Sequence, residues 1–225
     1  SCPSLQVLST HLVAPCPAHR THQRETHMGN NHSVEFFDRQ FEQQIHQTEG
    51  ALNPFEQAAL PHLRGHVLDF GCGMGNLALA AARAGCSVLA LDASDVAISH
   101  LIQMASAEGL PVEAQVADLG HYDVTGHFDS IVSIGLLMFL DCVTAKRALT
   151  DLQVHLVPGG TMVVNVLVVG TTYMDMFDPN KHCLFPRDFL QTQFAGWQVI
   201  ASEHQDFAAP GDTVKSFATI VARKP

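Results

Sequence analysis

The stretch Val67–Asp92 reads VLDFGCGMGNLALAAARAGCSVLALD. A short apolar run ending in glycines, an alanine- and leucine-rich helical run, and a second apolar run ending in an acid together predict a β-loop-α-β unit. Glycines in the first turn let the backbone approach a ligand closely, and the N-terminus of the following helix offers free N–H groups. An acid at the end of the second strand, here Asp92, can accept hydrogen bonds from both hydroxyls of a ribose. The stretch therefore predicts a site for a ligand that contains a nucleoside.

The spacing of the glycines separates two classes of nucleotide-binding protein. The dinucleotide fingerprint Gly-x-Gly-x-x-Gly/Ala requires glycine or alanine at position 76, but this chain has Asn76 there, and its third glycine, Gly75, comes one residue earlier. Asp69 precedes the first glycine by two residues, where a carboxylate would attract an ammonium group and repel a pyrophosphate. The pattern therefore disfavours a nicotinamide-dependent oxidoreductase. Asp-x-Gly-x-Gly-x-Gly, followed by Asp92, resembles motif I and the second-strand acid of class I S-adenosylmethionine-dependent methyltransferases.

Size and charge restrict the class of partner. The chain has 225 residues, which fits one α/β domain with a sizeable core. Its 12 basic and 22 acidic side chains give a formal charge of -10, which argues against nucleic acid or an anionic membrane as a partner. The longest apolar stretch, Thr161–Gly170, has the length of a strand, whereas a transmembrane helix needs about 18 apolar residues or more. We therefore expect a small-molecule substrate, no nucleic acid and no membrane; the composition favours no particular oligomeric state.

The cysteines and the first residues bear on compartment and domain organisation. Cysteines at positions 2, 16, 72, 86, 142 and 183 show no C-x-x-C spacing and no compact disulfide framework, which indicates a reducing cytoplasm. Residues 1–31 contain three prolines and four histidines, with little apolar periodicity. The histidine spacings fit no standard metal site, so no metal is expected. We predict a disordered tail over residues 1–31 and one domain over residues 32–225.

Periodicity and turn signals complete the predicted fold. Apolar residues recur at helical intervals from Ser33 to His46, and Asn53, followed by Pro54, and Ser94 are suited to start two further helices. The predicted strands after Asp92 are Pro111–Val116, Phe128–Ile134, Thr161–Val169, Trp197–Glu203 and Val214–Ala222. The last two form a hairpin around the turn Pro210–Asp212. We predict an α/β fold: a single doubly wound, Rossmann-like domain whose seven-stranded, mostly parallel sheet has an antiparallel C-terminal hairpin strand.

Three downstream stretches narrow the resemblance. They are Ile134–Leu140, Leu156–Gly160 and Phe217–Lys224. These stretches look like those of the tellurite-resistance methyltransferases, which transfer methyl groups from S-adenosylmethionine to tellurium and selenium oxyanions and are related to thiol methyltransferases. The resemblance covers about residues 34 to 224. It implies S-adenosylmethionine as the cofactor and S-adenosylhomocysteine as the product.

The resemblance also implies a cofactor site. Its residues are Asp69, Gly71, Cys72, Gly73, Gly75, Asp92, Ala93, Asp118, Leu119 and Ile134. In that family the first acid and the glycines hold the methionine moiety, the second-strand acid holds the ribose, and an acid after the third strand contacts the adenine. Asp118 has a second interpretation, as a loop acid that caps the local backbone. Ile134 would lie against the cofactor near the sulfonium.

Some positions differ from the family pattern. Asn76-Leu77 replaces the Arg-Asn that typically follows the third glycine, and Phe36, Gln40 and Phe41 stand where the early helix of the family presents tyrosines and a lysine. The cofactor site is compatible with these changes. The tellurite acceptor does not follow from the resemblance, and for the phenylalanines simple packing of the helix on the sheet is an open alternative.

The chemistry of the reaction bears on the acceptor. Methyl transfer from a sulfonium is an in-line displacement in which the protein mainly positions the nucleophile. A thiol or a chalcogen oxyanion needs little help from a general base, whereas a phenol or an amine more often requires one. Candidate residues for acceptor chemistry are Tyr173, His182, Arg39 and Arg187. We predict a soft acceptor, a thiol or a selenium or tellurium oxyanion; the alternatives are an oxygen or nitrogen nucleophile of a small metabolite, or a cofactor-binding protein without catalysis.

Overall fold

Seven strands form one mixed sheet in the computed structural model, which describes residues 32–45 and 51–225. The strands are β1 (His66–Phe70), β2 (Ser87–Asp92), β3 (Val112–Val116), β4 (Phe128–Ile134), β5 (Leu156–Leu167), β6 (Gln198–Ala209) and β7 (Thr213–Arg223). Their order in the sheet is β3-β2-β1-β4-β5-β7-β6. β1 to β5 are parallel, while β7 runs antiparallel to both β5 and β6. The predicted fold class is confirmed; the predicted tail, residues 1–31, lies outside the described residues.

Six α-helices accompany the sheet within the described residues. They are α1 (His32–Ile45), α2 (Pro54–Ala59), α3 (Asn76–Arg83), α4 (Asp95–Glu108), α5 (Cys142–His155) and α6 (Phe189–Gln193). Local capping determines where several of them begin. The side chain of Asn53 accepts hydrogen bonds from the first turn of α2, and Ser94 accepts one from the N–H of Ala97 in α4. Both predicted helix starts are therefore confirmed.

The core has two layers because neighbouring residues of each strand point to opposite faces of the sheet. Val67 packs with α3 and α4 on one face, whereas the adjacent Leu68 belongs to a larger cluster with α5 and α6 on the other. Chain order reverses between β1 and β4, since β1 pairs with β2 on one side and with β4 on the other. In open parallel sheets a ligand crevice forms at such a reversal, outside the carboxyl ends of the strands.

The C-terminal hairpin is longer than the sequence predicts. β6 reaches Ala209, whereas the prediction ended it at Glu203. β6 is the edge strand and nearly all of its residues are exposed, so no alternation of apolar and polar residues marks its extent. Backbone pairing with β7 determines its length instead.

A disulfide joins Cys142, the first residue of α5, to Cys183 in the irregular segment 168–188. The cysteine spacing gave no sign of this pair, because the two residues are 41 positions apart and meet only through the tertiary fold. The backbone N–H of Cys183 also donates to the carbonyl of Met138 at 2.9 Å. The segment is thus attached to the chain that follows β4. Cys72 and Cys86 are free and buried.

Two glycines with a left-handed backbone conformation, one in the glycine loop and one outside it, allow a test of packing around that loop. Gly75 precedes α3 with φ +75°, and a Cβ placed there would lie 2.5 Å from the buried side chain of Leu101. Gly126 has φ +80° and open space around it. Gly126→Ala should therefore cost only backbone strain, roughly 1–2 kcal/mol, while Gly75→Ala should cost clearly more. Urea unfolding measures both free energies, and equal losses would contradict the packing argument.

Candidate functional site

A cleft of about 1340 Å³ opens at the carboxyl ends of β1, β2 and β4. This volume exceeds the usual range for a single drug-sized ligand, so the cleft is large enough for two. The predicted residues that line it are Asp69, Gly71, Cys72, Gly73, Asp92, Ala93, Asp118, Leu119 and Ile134. Gly75 is outside the lining and serves instead as the turn before α3. The structure therefore brings together residues that are up to 65 positions apart (134 minus 69).

The glycine loop lies tightly over the end of β2. The N–H groups of Gly71 and Cys72 both donate to the carbonyl of Leu91, at 2.8 and 3.0 Å. Gly71 has φ +89°, and a Cβ there would lie 2.7 Å from the side chain of Leu136. A larger residue at this position would push the loop into the cleft, so the glycine is required by both the backbone and the space.

Asp92 connects this loop to α4. One of its carboxylate oxygens accepts from the N–H of Gly73 at 2.8 Å, and the other accepts from the N–H of Ser94 at 2.9 Å. Burial raises the pKa of Asp92, the backbone hydrogen bonds from Ser94 and Gly73 oppose that rise, and the nearby charge of Asp38 adds to it. Because each carboxylate oxygen has two acceptor positions, Asp92 keeps capacity to bind hydroxyls of a ligand.

Asp69 is the least satisfied polar group of the site. It lines the cleft with only 4% of its surface exposed, and its Oδ2 has no hydrogen-bond partner among the described residues. Burial raises its pKa well above the ordinary value, with the neighbouring charges of Glu56 and Asp92 adding to the effect. A buried carboxylate without a partner is unfavourable unless a ligand supplies a donor or a positive charge. The cleft therefore has a position suited to a cation.

Glu56 is a functional candidate that the sequence did not reveal. It lines the cleft from α2, and its Oε2 accepts from the N–H of Asn53 at 2.8 Å. Burial raises the pKa of Glu56, and the hydrogen bond from Asn53 opposes the rise. In the sequence this residue is only the third member of a capping box, a purely local feature. Nothing in that pattern indicates that α2 places Glu56 near Asp69.

Asp118 makes a local backbone cap and also lines the cleft, so its predicted contact with adenine stays a prediction. Its Oδ1 accepts from the N–H of Gly120 at 3.1 Å, which is the local backbone cap, and its Oδ2 lies 2.9 Å from Nδ1 of His121. The residue also lines the cleft, next to the buried Leu119. Its placement is thus compatible with contact to a flat heterocycle.

At the end of β4 the cleft is apolar and aromatic. Ile134 and Gly135 line it together with Phe37, Phe41 and Phe139. The centroids of Phe37 and Phe139 are 5.0 Å apart in an edge-to-face arrangement, and those of Phe37 and Phe41 are 6.0 Å apart. A Cβ at Gly73 would lie 3.5 Å from the Phe41 ring, so α1 closes over the glycine loop. Phe37 and Phe41 therefore have a place in the site beyond packing on the sheet.

Two of the predicted acceptor residues lie outside the cleft lining. Tyr173 has the ammonium of Lys215 4.8 Å from its ring centroid. His182 stacks on Phe177 with centroids 5.0 Å apart, and its Nδ1 lies 3.0 Å from the carbonyl oxygen of Asp178. Neither side chain therefore belongs to the lining that contains Ile134, the residue predicted to lie near the sulfonium of the cofactor.

The two arginines predicted as acceptor residues also lie outside the cleft lining. Arg39 and Arg187 are exposed and outside the lining. Among the described residues, the cations that line the cleft are Lys181 and Arg83, and Arg83 forms an ion pair with Glu108. The acids of the lining outnumber them, so the cleft as a whole attracts a positively charged ligand.

Within the described ranges, 32–45 and 51–225, no group of three or more histidine, cysteine or acidic side chains is arranged to hold a metal ion. The burial that raises the pKa of Cys72, together with the charges of Asp69 and Asp92, keeps this lining thiol protonated near neutral pH. Cys72 is therefore a small apolar lining residue and a poor nucleophile. In the same part of the chain, no helix is long and apolar enough to span a membrane.

Comparison with known proteins agrees with this geometry. Residues 67–160 match a family model described as a methyltransferase domain. Hemagglutinin 1 of Eikenella corrodens is 30% identical over 70% of this chain and 54% of its own length. A probable S-adenosyl-L-methionine-dependent methyltransferase TehB of Haemophilus influenzae is 26% identical over 70% of this chain and 57% of TehB. The ubiquinone biosynthesis O-methyltransferase of Xanthomonas campestris is 30% identical over 65% of this chain and 67% of that enzyme.

Solved structures show the same fold. TehB from Haemophilus influenzae superimposes with a TM-score of 0.67 at 20% identity, covering 86% of this chain and 67% of TehB. A structure described as "Conversion of a Disulfide Bond into a Thioacetal Group during Echinomycin Biosynthesis" has a TM-score of 0.60 at 25% identity, covering 78% of this chain and 82% of that one.

Fold, cleft and comparisons together define a nucleoside-binding α/β protein of the methyltransferase type. The chain belongs to the class I S-adenosylmethionine-dependent methyltransferases and is similar to TehB, which confirms the resemblance seen in its motifs. It spans little more than half the length of the hemagglutinin and of TehB. The site fits the cofactor, because the unpartnered Asp69 carboxylate matches a ligand that contains an ammonium and a sulfonium.

Asp69 should make the cofactor-free protein less stable as pH rises. Since the folded-state pKa of this carboxyl is raised, its favourable contribution is complete below the pKa of the unfolded chain and is lost as pH rises through the folded-state pKa. Asp69→Asn cannot ionise, so we expect the variant to be more stable than the parent by about 1–3 kcal/mol near pH 8, with little difference at acidic pH. Urea unfolding at several pH values measures this. Parallel pH profiles for the two proteins would contradict the assignment.

Proposed function

We propose that the protein transfers the methyl group of S-adenosylmethionine to a soft nucleophile, above all a sulfur atom, of a small-molecule acceptor. The observation that supports this most is the division of the cleft. Its part around Asp69 is acidic and contains a buried carboxylate without a partner, while its part around Ile134 is apolar and aromatic. A cationic cofactor suits the first part, and an acceptor that needs no proton removed suits the second.

In this proposal the cofactor-binding residues act as follows. Asp69 attracts the ammonium of the methionine moiety, and the loop from Gly71 to Gly73 encloses that moiety. Asp92 accepts from the ribose hydroxyls with Ala93 beside it, and Asp118 and Leu119 contact the adenine. When bound, S-adenosylmethionine supplies an electrophilic methyl group on a sulfonium. Ile134 and the facing rings then hold the acceptor in line and exclude water.

The apolar lining at the end of β4 favours a soft acceptor. None of the side chains at Ile134, Gly135, Phe37 and Phe139 can take up a proton near neutral pH. A thiol ionises near pH 8.5 and a phenol about 1.5 pKa units higher, so a thiol reaches its reactive form more readily without help. In the displacement, the acceptor sulfur forms a bond to the methyl carbon as the carbon–sulfonium bond breaks, and that electron pair stays on the sulfur of S-adenosylhomocysteine. The structural neighbour described by conversion of a disulfide to a thioacetal also concerns sulfur chemistry.

An oxygen acceptor is the second candidate. It is favoured by the similarity to the ubiquinone biosynthesis O-methyltransferase, 30% identical over 167 residues. This reaction would need a base that takes the hydroxyl proton. Of the described lining residues, those with raised carboxyl pKa values, such as Glu56, are the groups best able to do so.

A panel of acceptors tests the proposed reaction. We expect small thiols to be methylated at least about 10-fold faster, in kcat/KM, than phenols or amines of matched size, because they need no base. Formation of S-adenosylhomocysteine and of methylated product, followed with labelled cofactor, gives both rates. Transfer to phenols with none to thiols would favour the second candidate. Cofactor binding without any turnover would support a non-catalytic role.

Asp92→Ala tests the ribose contact. Loss of hydrogen bonds to a charged acceptor should weaken S-adenosylmethionine binding by about 10- to 100-fold. Calorimetry on the folded variant measures the affinity, with Asp123→Ala, an acid outside the cleft lining, as the control. Unchanged affinity in Asp92→Ala would remove this residue from the site.

A further inference from the structure

We propose that the aromatic end of the cleft selects an acceptor with an uncharged, apolar body, such as an aryl or alkyl thiol, and rejects anions such as oxyanions. We define the aromatic pocket as Phe37, Phe41 and Phe139, which line the same cleft as Ile134. This inference rests on the proposed function and names the substrate class of the same site.

The aromatic pocket is the surface of a larger cluster of rings. Phe37 contacts Phe36 at 5.4 Å and Phe139 at 5.0 Å between centroids. Phe139 in turn contacts the buried ring of Phe177 at 5.1 Å. Such packed rings offer a broad apolar surface that suits aromatic or aliphatic groups.

Contacts from distant parts of the chain hold these rings in place. Ser33 in α1 donates to the carbonyl of Met176 at 3.1 Å, and Asp38 accepts from the hydroxyl of Ser94 at 2.5 Å. The disulfide at Cys183 holds the same irregular segment against the start of α5. α1 is thus fixed to both sides of the cleft, and the aromatic pocket is a formed surface.

The charges around the aromatic pocket disfavour an anion. Lys181 lines the cleft, and its charge makes the smallest contribution to lowering the pKa of Asp141, after the hydrogen bonds from Thr144 and Val143. Arg39 is exposed on α1 and donates to the carbonyl of Glu35. A remote anionic group of the acceptor would therefore lie against the rings in a cleft whose acids outnumber its cations, which is costly. The reacting thiolate is different, because it faces the positive sulfonium.

A matched pair of thiols tests this selectivity. Benzyl mercaptan and 4-(mercaptomethyl)benzoate have the same reacting group and differ by one remote carboxylate. We expect the protein saturated with S-adenosylhomocysteine to bind benzyl mercaptan about 10- to 100-fold more tightly, and the kcat/KM for methyl transfer to show the same preference. Equal or tighter binding of the carboxylate, or no binding of benzyl mercaptan, would overturn the proposal.

Binding and turnover separate the two proposals. A binding preference for the uncharged thiol without methyl transfer would refute the proposed reaction and leave the selectivity of the aromatic pocket standing. Methyl transfer to both thiols at equal kcat/KM would refute the selectivity and leave the reaction standing. Tellurite or selenite that competes with benzyl mercaptan at similar concentration would also refute the selectivity.

Paired variants locate the effect. Gln40 lines the cleft on α1, whereas Gln43 lies on the same helix outside the lining. Gln40→Lys should improve binding of the carboxylate about 10-fold, and Gln43→Lys should leave it unchanged. Phe139→Ala should weaken benzyl mercaptan about 10-fold with S-adenosylhomocysteine affinity retained, and Phe37→Ala gives the same test if Phe139→Ala does not fold. An equal gain from both lysines would refute the local charge argument.

Discussion

The carboxylate of Asp92 holds two backbone segments together at the end of β2. It accepts from Gly73 in the glycine loop and from Ser94 at the start of α4. Because Ser94 also donates to Asp38 on α1, the same short network extends to the helix that covers the cleft. The glycine loop, α4 and α1 are therefore connected through Asp92 and Ser94. The proposed cofactor site depends on this network, because Asp92 and the glycine loop that it holds both belong to that site.

A second constraint is the unpaired acid of the neighbouring strand. Asp69 is buried near Glu56 and Asp92, and burial together with these two charges raises its pKa well above the ordinary value. In the proposed binding mode, a ligand with two positive centres offsets the cost of this buried acid. The product S-adenosylhomocysteine has lost the sulfonium charge. In the proposed site the same acids would attract the product less strongly than the substrate, which would favour release after transfer.

The proposed acceptor end of the cleft is apolar and aromatic, in contrast to the acidic end. Rings of Phe37 and Phe139 come from α1 and from the chain after β4, and the disulfide between Cys142 and Cys183 holds the segment behind them. In the proposed function the acidic end binds the charged cofactor, whereas this end offers an apolar surface to the acceptor. Selectivity for the cofactor and selectivity for the acceptor can thus change independently. This agrees with a family in which one cofactor site serves many acceptors.

The sequence by itself determined the β-loop-α-β unit, the helix starts at Asn53 and Ser94, and the acids Asp69 and Asp92 at the strand ends. These features are local, because glycine conformations, caps and strand ends are encoded within a few residues, and parallel strands bring their carboxyl ends to one edge. Only the tertiary structure decided the position of Glu56, the aromatic pocket, the disulfide, and the absence of Arg39 and Arg187 from the cleft lining. Each of these features arises where segments that are distant in the sequence pack against one another. A local sequence pattern does not indicate which distant segments will do so.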